Sequence, residues 1–459
     1  MPWQKVSQGR YERDFDTLEQ FWIANAAVGA HINRQSYLLS CTVRLNPFPT
    51  AVEVQNSWKA LRKEHPQIAA IADERNSRLT YNVPSPAELE AWVQRTFIVE
   101  DDGSSASGLY ENLPPTSALE LHYLPGTSEL LFRTPHWRID GHGLLHLQNS
   151  LLRIIAEGPP RTVCLDGSEA AHLVISQDEA CSAPSKVTPS ITAAADAELS
   201  TIFDGQPSLT LPTQPNIIAK APGRLVSKIS TETTQCLLSA CKARGISVTT
   251  AAHAALIVAM VPYTQHNFDP ATRGQGGGQL TGFNTISLRK YLPPPWNGPD
   301  AAVSVYHIGI PYTLDLGETN TFESIAAVLG SLYKRNFGEE DPRNIFAFLS
   351  EYLRKILTLF LMPAPDPLKE AAQADISSLG VLNDYLLCRH EGKNMTIEVE
   401  DWWISQEVID RVLRTNIWTL NGRLAFSINW NMAFYEENFV TRFLHEWESI
   451  FLRELGVKS

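Results

Sequence analysis

A histidine and an aspartate stand four residues apart in the segment PHWRIDGHG, residues 135–143. A neutral imidazole titrates at about pH 6.5, so His136 can take a proton from a hydroxyl or an amine at cytoplasmic pH. In acyl transfer from a thioester the thiolate is already a good leaving group, and removal of the acceptor's proton is the main requirement. We therefore predict that His136 is the general base of an acyl transfer reaction.

Two roles are open to Asp140. It can orient the imidazole through a hydrogen bond, or it can pair with a basic residue elsewhere and fix the turn. The four-residue separation across a glycine-ended loop favours the second role. Gly141 is expected to adopt a positive φ, which lets the following helix begin close to the preceding strand.

The elements around this motif follow from hydrophobic periodicity. Alternating apolar residues, a Pro-Gly-Thr turn and a second apolar segment predict a β-hairpin over residues 119–134, which leads directly to His136. Leucines and isoleucines at helical spacing predict a helix over residues 144–155. The motif is therefore expected at a strand-to-helix junction, where a rigid scaffold presents the side chain.

The rest of the chain alternates between helical and strand-like patterns. We predict further helices over residues 15–28, 49–64, 231–244, 249–260, 321–336, 343–361 and 436–455. We predict strands over residues 36–45, 68–73, 79–83, 224–229, 280–288, 303–312, 376–386, 394–401 and 422–429. Because this order lacks the regular strand–helix alternation of a doubly wound sheet, it favours an α+β fold.

A change of composition divides the chain. Residues 176–222 are rich in Ser, Thr, Ala and Pro, which is typical of a linker that runs along the surface. We therefore predict an N-terminal lobe over residues 1–178, a crossover linker over 179–222 and a C-terminal lobe over 223–459. The site is expected in the cleft between the lobes.

Charge and composition exclude several classes of protein. The formal net charge of −12 disfavours a nucleic-acid partner. The N-terminus lacks the apolar region of a signal peptide, and no run reaches the roughly 18 apolar residues that span a bilayer. Six scattered cysteines indicate reduced thiols, and no histidine spacing predicts a metal site. We expect a cytoplasmic monomer with no metal and no membrane association.

Five segments carry a family resemblance. They read HWRIDG at 136–141, GISVTTAAHAAL at 245–256, FNTISLRKYL at 283–292, SSLGVL at 377–382 and NGRLAFSINWNMAFY at 421–435. In this order they resemble the chloramphenicol acetyltransferase-like superfamily, which includes the plant BAHD acyltransferases, the condensation domains of peptide synthetases and fungal trichothecene-type O-acetyltransferases. The plant signature DFGWG is absent, and residues 401–405 read DWWIS. The last segment is most similar to the fungal and condensation-domain branch.

The resemblance implies an α+β fold of two chloramphenicol-acetyltransferase-like lobes, with mixed sheets flanked by helices and a central tunnel that holds His136. It implies a structural ion pair between Asp140 and Arg289. It also implies acyl-CoA, with acetyl-CoA expected, as the co-substrate, and a hydrophobic small-molecule acceptor with a hydroxyl or amine, of the fungal secondary-metabolite type. One alternative keeps the fold but acts without CoA, as a cyclase or dehydratase of a polyketide or peptide intermediate. A third hypothesis is a non-catalytic binding protein that retains the fold.

Four further residues are candidates for the substrate pocket. His142 in the first helical turn is expected to line the cleft or to lie at its rim. Ser378 is a candidate hydrogen-bond donor to the tetrahedral oxyanion by its position in the resemblance. Trp402 and Trp403 offer flat surfaces for a hydrophobic acceptor, and core packing is the equal alternative.

Overall fold

The computed structural model describes residues 2–203, 210–264, 279–316, 321–335, 337, 344–362 and 372–458. Its helices are α1 (Thr17–Ala27), α2 (Ala51–Glu64), α3 (Pro86–Thr96), α4 (Ala106–Asn112), α5 (Gly141–Glu157), α6 (Gln177–Ala180), α7 (Pro189–Phe203), α8 (Thr231–Ala243), α9 (Val248–Thr264), α10 (Phe322–Tyr333), α11 (Leu349–Phe360) and α12 (Glu437–Glu454). Its strands are β1 (Gln4–Ser7), β2 (Arg10–Asp14), β3 (Leu38–Asn46), β4 (Ile71–Asp73), β5 (Arg78–Asn82), β6 (Phe97–Val99), β7 (Glu120–Leu124), β8 (Glu129–Pro135), β9 (Pro222–Lys228), β10 (Gln279–Ser287), β11 (His307–Asp315), β12 (Ala374–Val381), β13 (Arg389–Glu391), β14 (Thr396–Gln406), β15 (Leu413–Leu420) and β16 (Arg423–Asn431).

A six-stranded mixed sheet carries the strand that precedes His136. Its order is β13-β14-β3-β8-β7-β6, with β6 and β7 parallel and the other pairs antiparallel. Helices α2 and α5 pack on this sheet and bury side chains such as Trp58, Leu61 and Leu147. At the start of α2, Thr50 and Glu53 form the two reciprocal hydrogen bonds of a capping box, which ends the strand-to-helix loop at a defined residue.

A second mixed sheet lies in the later part of the chain. Its order is β12-β15-β16-β9, with β12 and β15 parallel. Helices α9, α10 and α12 pack with it in a second core. The indole Nε1 of Trp447 donates a hydrogen bond to the carbonyl oxygen of Ala252 at 2.9 Å, which joins α12 to α9. The alanine-rich face of α9 permits this close approach of the two helices.

Two smaller sheets and a third core complete the part of the chain that the structure describes. Strands β1, β2, β5 and β4 form one antiparallel sheet, and β10 pairs with β11 in a ribbon. The third core joins α1, α7 and α11 to β11, with Leu18, Tyr352 and Ile308 buried in it. Strands β10 and β11 of the ribbon lie on either side of Arg289 in the sequence. The third core packs against this ribbon and is therefore close to Arg289.

The mixed α and β architecture agrees with the predicted fold class. Helix α7 lies within the segment predicted as a linker, and β14, from the second half, pairs with β3 of the first. The division into two lobes and the tunnel stay predictions. Across the described residues, no single helix has the length and apolar composition needed to cross a bilayer. Helices α8 and α9 pass that test only as a pair, and they are bent by 97° relative to each other.

Candidate active site

His136 lies in the turn between β8 and α5, at the predicted strand-to-helix junction. Pro135, the last residue of β8, is paired with Leu38 of β3, so the turn begins from the middle of a sheet. The buried guanidinium of Arg138 donates to the carbonyl oxygens of Ala70 at 2.8 Å and Ser117 at 2.9 Å. The backbone on both sides of the histidine is therefore fixed.

Asp140 is the N-cap of α5 and its carboxylate is fully used by structural partners. It accepts hydrogen bonds from the backbone N–H of Gly143 at 2.7 Å and of Tyr306 at 2.8 Å. The guanidinium of Arg289 donates to both carboxylate oxygens, at 2.9 and 3.0 Å. The ion pair predicted from the family resemblance is therefore present, and it is buried on both sides.

The charge of this pair controls the protonation of Asp140. Burial alone would raise the pKa of the carboxyl, but the charge of Arg289 and the bond from the Tyr306 N–H favour the ionised form. Together they hold the pKa of Asp140 well below its usual range. Asp140 is therefore a permanent anion that neutralises Arg289 and caps α5.

Of the two glycines that follow Asp140 in the motif, Gly143 has the closer contacts. A Cβ on Gly143 would lie 2.2 Å from the carbonyl oxygen of Ala302, whereas one on Gly141 would lie 2.8 Å from Cδ2 of Leu379. The expectation of a positive φ at Gly141 is wrong, because that residue is the first of α5 and is not among the residues with positive φ. Both glycines act by permitting close approach to α5.

Three aromatic side chains surround the imidazole of His136. The indole of Trp22, from α1, stacks on it with ring centroids 4.2 Å apart and planes 1° from parallel. His307, the first residue of β11, lies with its ring centroid 5.0 Å away. Tyr37, which precedes β3 with a φ of 55° in the left-handed region, lies 6.1 Å away.

Burial determines the protonation state of the imidazole. It lowers the pKa of His136 to about 4, although contact with the residue's own backbone carbonyl and the charge of Asp140 oppose the shift. The Nδ1 atom is buried and has no hydrogen-bond partner among the described residues. The ring lines a cavity, so a neutral imidazole is available to a bound molecule over the whole neutral range of pH.

Two adjoining cavities meet at His307 and Trp22. The inner cavity, about 140 Å³, is lined by His136, Gly141 and Ser378 among others. The apolar chamber, about 540 Å³, is lined by hydrophobic side chains of α1 and α11 and by Phe283 of β10, and its wall also includes polar residues such as Gln373. Both cavities share the residues Trp22, Tyr37, Thr285, His307, Asp375 and Arg414. The two cavities therefore adjoin each other at these six residues.

A charged cluster forms one side of this junction. Arg414 is paired with Asp375, and it donates to Asp410 at 2.5 Å. Its guanidinium lies over the ring of Tyr37, 5.0 Å from the centroid. Since Arg414 is already paired twice, the cluster fixes Tyr37 beside His136 and does not offer a free charge to a ligand.

Two of the candidate pocket residues lie where they were expected. His142 and Ser378 both line the inner cavity. The ring of His142 contacts Tyr385 edge-on at 4.7 Å, and burial lowers its pKa. The hydroxyl of Ser378 shares a 2.7 Å hydrogen bond with Thr249 in the first turn of α9. A role for either side chain in binding substrate stays a prediction.

Trp402 and Trp403 belong to the core and line neither cavity. The Nε1 of Trp402 donates to Gln148 at 2.9 Å and its ring meets Trp418 edge-on. Trp403 packs under the guanidinium of Arg224, 3.9 Å from the ring centroid. Of the two alternatives open for these tryptophans, the structure shows core packing.

The aromatic neighbours of the base are the site residues that sequence reasoning misses. In the sequence, Trp22 stands out only as part of an apolar helical face, and His307 only as a residue of a predicted strand. A single histidine in a strand gives no periodic or motif signal, so its place beside His136 depends on the fold. Tyr37 and Arg414 are missed for the same reason.

Comparisons with known proteins identify relatives of the whole chain. No protein-family model matches the chain. Acetyltransferase pigO of Monascus ruber is 30% identical over 475 residues, which cover 100% of this chain and 99% of the relative. O-acetyltransferase pigM of the same fungus is 26% identical over 469 residues, which cover 100% of this chain and 88% of the relative.

A solved structure supports the fold. TRI3 trichothecene 15-O-acetyltransferase from Fusarium sporotrichioides superimposes with a TM-score of 0.79 at 15% identity, covering 98% of this chain and 96% of the other. The chain therefore shares the fold of that acetyltransferase. The chain belongs to the chloramphenicol acetyltransferase-like superfamily, among the fungal acetyltransferases related to pigO.

Proposed function

We propose that the enzyme transfers an acyl group from a CoA thioester to a hydroxyl or amine of a hydrophobic secondary metabolite, with His136 as the general base. The observation that carries this proposal is the position of His136: a buried neutral imidazole that lines a cavity, with an apolar chamber adjoining that cavity. An acceptor in the chamber can present its hydroxyl to the base without exposing the thioester to bulk water.

The proposed reaction needs one proton transfer in each direction. His136 takes the proton of the acceptor as the acceptor oxygen bonds to the thioester carbonyl carbon. His136 then returns that proton to the sulfur as the carbon–sulfur bond breaks. The stacked indole of Trp22 faces the imidazolium that forms in between and stabilises its charge by a cation–π contact, for which about 0.5–2 kcal/mol is typical.

The donor is proposed to enter beside the first turn of α9. The hydroxyls of Ser378 and Thr249 lie there and can bind a carbonyl or anionic oxygen, whereas the N–H of Thr250 already donates to the hydroxyl of Ser247 at 3.0 Å. The apolar chamber on the other side of His136 suits the ring system of an acceptor better than the polar arm of CoA. Acetyl-CoA is the donor to test first, because pigO and pigM carry acetyltransferase names.

The test is to incubate the full chain with acetyl-CoA and a panel of hydroxylated and amino-substituted aromatic compounds, and to measure free thiol and product mass. We expect His136→Ala to lower the rate by about 10²–10⁴, the range for loss of a general base. His31→Ala, which removes an exposed histidine, is the matched control and should retain activity. Full activity in His136→Ala contradicts the proposal, as does the absence of thiol release with every acceptor. Calorimetry with CoA alone separates a CoA-independent enzyme from one that lacks only its acceptor.

A further inference from the structure

A second imidazole, that of His307, lies where the two cavities adjoin. His307 follows the chain turn after Tyr306, opens β11 and pairs with Ser287 of β10. It is 8% exposed, and its ring centroid lies 5.0 Å from that of His136. It lines both the inner cavity and the apolar chamber, so a molecule that occupies both cavities would lie beside it.

Among the residues that the structure describes, the side chain of His307 has no hydrogen-bond partner. Its Nδ1 is buried without a partner, and neither ring nitrogen bonds to any residue that the structure describes. His253, another deeply buried histidine, contrasts with it: its two ring nitrogens bond the hydroxyls of Tyr333 and Tyr312, each at 3.0 Å. Because the ring lines both cavities, a molecule bound there can supply a hydrogen-bond partner to its accessible nitrogen.

Its charge state suits a hydrogen bond to an uncharged group. Burial, and next the neighbouring His136, lower the pKa of His307 to about 3. At neutral pH both imidazoles are therefore uncharged, and each carries one donor and one acceptor nitrogen. Two such rings 5.0 Å apart can bind the same hydroxyl from two sides.

We propose that His307 binds the acceptor hydroxyl together with His136. The hydroxyl donates its proton to His136 and accepts a hydrogen bond from His307 through one lone pair. The second lone pair is then left to attack the thioester carbonyl, so the two imidazoles orient the nucleophile as well as activate it. The chemistry of this role rests on the proposed function. The class of substrate that it implies is an apolar molecule whose alcohol group lies between His136 and His307.

The test is a binding cycle with two probes of similar shape, naphthalenemethanol and ethylnaphthalene, measured by calorimetry on the full chain. Ethylnaphthalene carries a methyl group where the alcohol carries its hydroxyl. We expect the ratio of the two affinities to shift against the alcohol by roughly 10-fold in His307→Phe relative to the unsubstituted protein, as for loss of one hydrogen bond. His307→Gln, which keeps a donor and an acceptor, should recover part of the ratio.

The matched control is His390→Phe. His390 is also buried and has an unpartnered Nε2, but it lies on β13 and lines neither cavity. It should leave the affinity ratio unchanged. An unchanged ratio in His307→Phe, with a normal thermal transition, overturns the assignment, and so does the absence of binding of either probe to the unsubstituted protein.

A rate measurement separates this assignment from the proposed function. With acetyl-CoA and naphthalenemethanol, His307→Phe should lower kcat/KM for the alcohol and leave KM for acetyl-CoA unchanged. If the unsubstituted protein transfers no acyl group but the affinity ratio still depends on His307, the proposed function fails and the binding role stands. If transfer occurs and the ratio does not depend on His307, the binding role fails alone.

Discussion

Burial has two opposite effects on the imidazole of His136. It keeps the ring neutral and therefore ready to accept a proton, and it also lowers the affinity of the ring for that proton. The stacked indole of Trp22 compensates in part, because it attracts the charge that appears only while the reaction proceeds. The imidazole of His136 therefore stays in its neutral form, which is the form that can accept a proton, at neutral pH.

The pH dependence of the rate follows from this lowered pKa. The active form of His136 is the neutral one, which is present above its pKa of about 4 and lost below it. We expect kcat/KM for the acceptor to stay near its plateau well below pH 6.5, the ordinary value for the imidazole, and to fall only as the pH approaches the lowered pKa. Initial rates measured from about pH 4 to pH 9 provide the check.

Stability must be monitored alongside these rates. Between its ordinary pKa of 6.5 and the lowered one, His136 takes up a proton in the unfolded chain but not in the folded one, so the free energy of unfolding decreases as the pH falls through that interval. His307 acts in the same direction. Thermal transitions therefore define the pH range in which the rates report on catalysis. An acid limb centred at or above pH 6.5, in protein that is still folded, would show that the base is not the buried imidazole.

Which site residues can be predicted from the sequence depends on whether their signal is local. His136 and Asp140 stand in one short motif, and Arg289 follows from the family resemblance, so the ion pair is predictable from the sequence. His307 and Trp22 come from elements that are distant in sequence from the motif and reach it only through packing. For Trp402 and Trp403 the sequence leaves both alternatives open, because aromatic character alone does not distinguish a core side chain from a pocket side chain.

At the scale of elements, the Asp140–Arg289 ion pair joins the start of α5 to the turn after β10. We expect Asp140→Ala to lower the free energy of unfolding by about 3–5 kcal/mol, because it leaves the buried guanidinium of Arg289 without its counter-charge. Urea titration followed by circular dichroism measures the change. The double variant Asp140→Ala/Arg289→Leu should lose less than the sum of the two single losses, since no unpaired charge remains.

The same variant tests the role of the carboxylate in the chemistry. If Asp140 only supports the turn, the loss of activity in Asp140→Ala should follow the loss of folded protein. A variant that unfolds at the normal urea concentration and yet has no activity would assign Asp140 a direct part in catalysis.

The second prediction at this scale concerns the packing of α5 against residues 301–306. Gly143→Ala would place a methyl group 2.2 Å from the carbonyl oxygen of Ala302. Because the backbone has to move to remove the overlap, we expect the free energy of unfolding to fall by about 1–3 kcal/mol. Gly103→Ala is the matched control, because no atom lies within 4 Å of its added Cβ. Equal thermal stability of the two variants would show that α5 is not held this tightly.

The elements that the sequence predicts well are those with long regular patterns. Helices α2, α5 and α12 and the β7–β8 hairpin appear within a few residues of their expected limits. Strand β15 was not predicted, because polar residues such as Arg414 and Asn416 interrupt its apolar pattern. Helix α3 was also missed, although Ser85 and Glu88 form a capping box that the sequence displays. The order of the strands in each sheet cannot be predicted from these local patterns, because packing between distant segments decides which strands pair.

At the scale of the whole molecule, the two halves of the chain share one sheet. Strand β14 pairs with β3 over most of its length, from Glu398 opposite Asn46 to Gln406 opposite Leu39. The indole of Trp402 then donates to Gln148 of α5, the helix that follows the catalytic turn. The sheet that presents His136 is therefore completed by a strand that lies far away in the sequence, in the second half of the chain. A cut at the predicted boundary near residue 178 would remove this strand from the first half.

We expect residues 1–178 expressed alone to aggregate or to lack a cooperative thermal transition. Without β14, the N–H and C=O groups of β3 form an open sheet edge, and the side chains that Trp402 covers are exposed to water. The matched comparison is a fusion of residues 386–408, which contain β13 and β14, to the end of 1–178 through a flexible linker. That fusion should be soluble and should unfold cooperatively, because it restores the missing edge strand. If residues 1–178 fold cooperatively by themselves, β14 is an addition to a self-sufficient lobe, and the shared sheet does not couple the two halves.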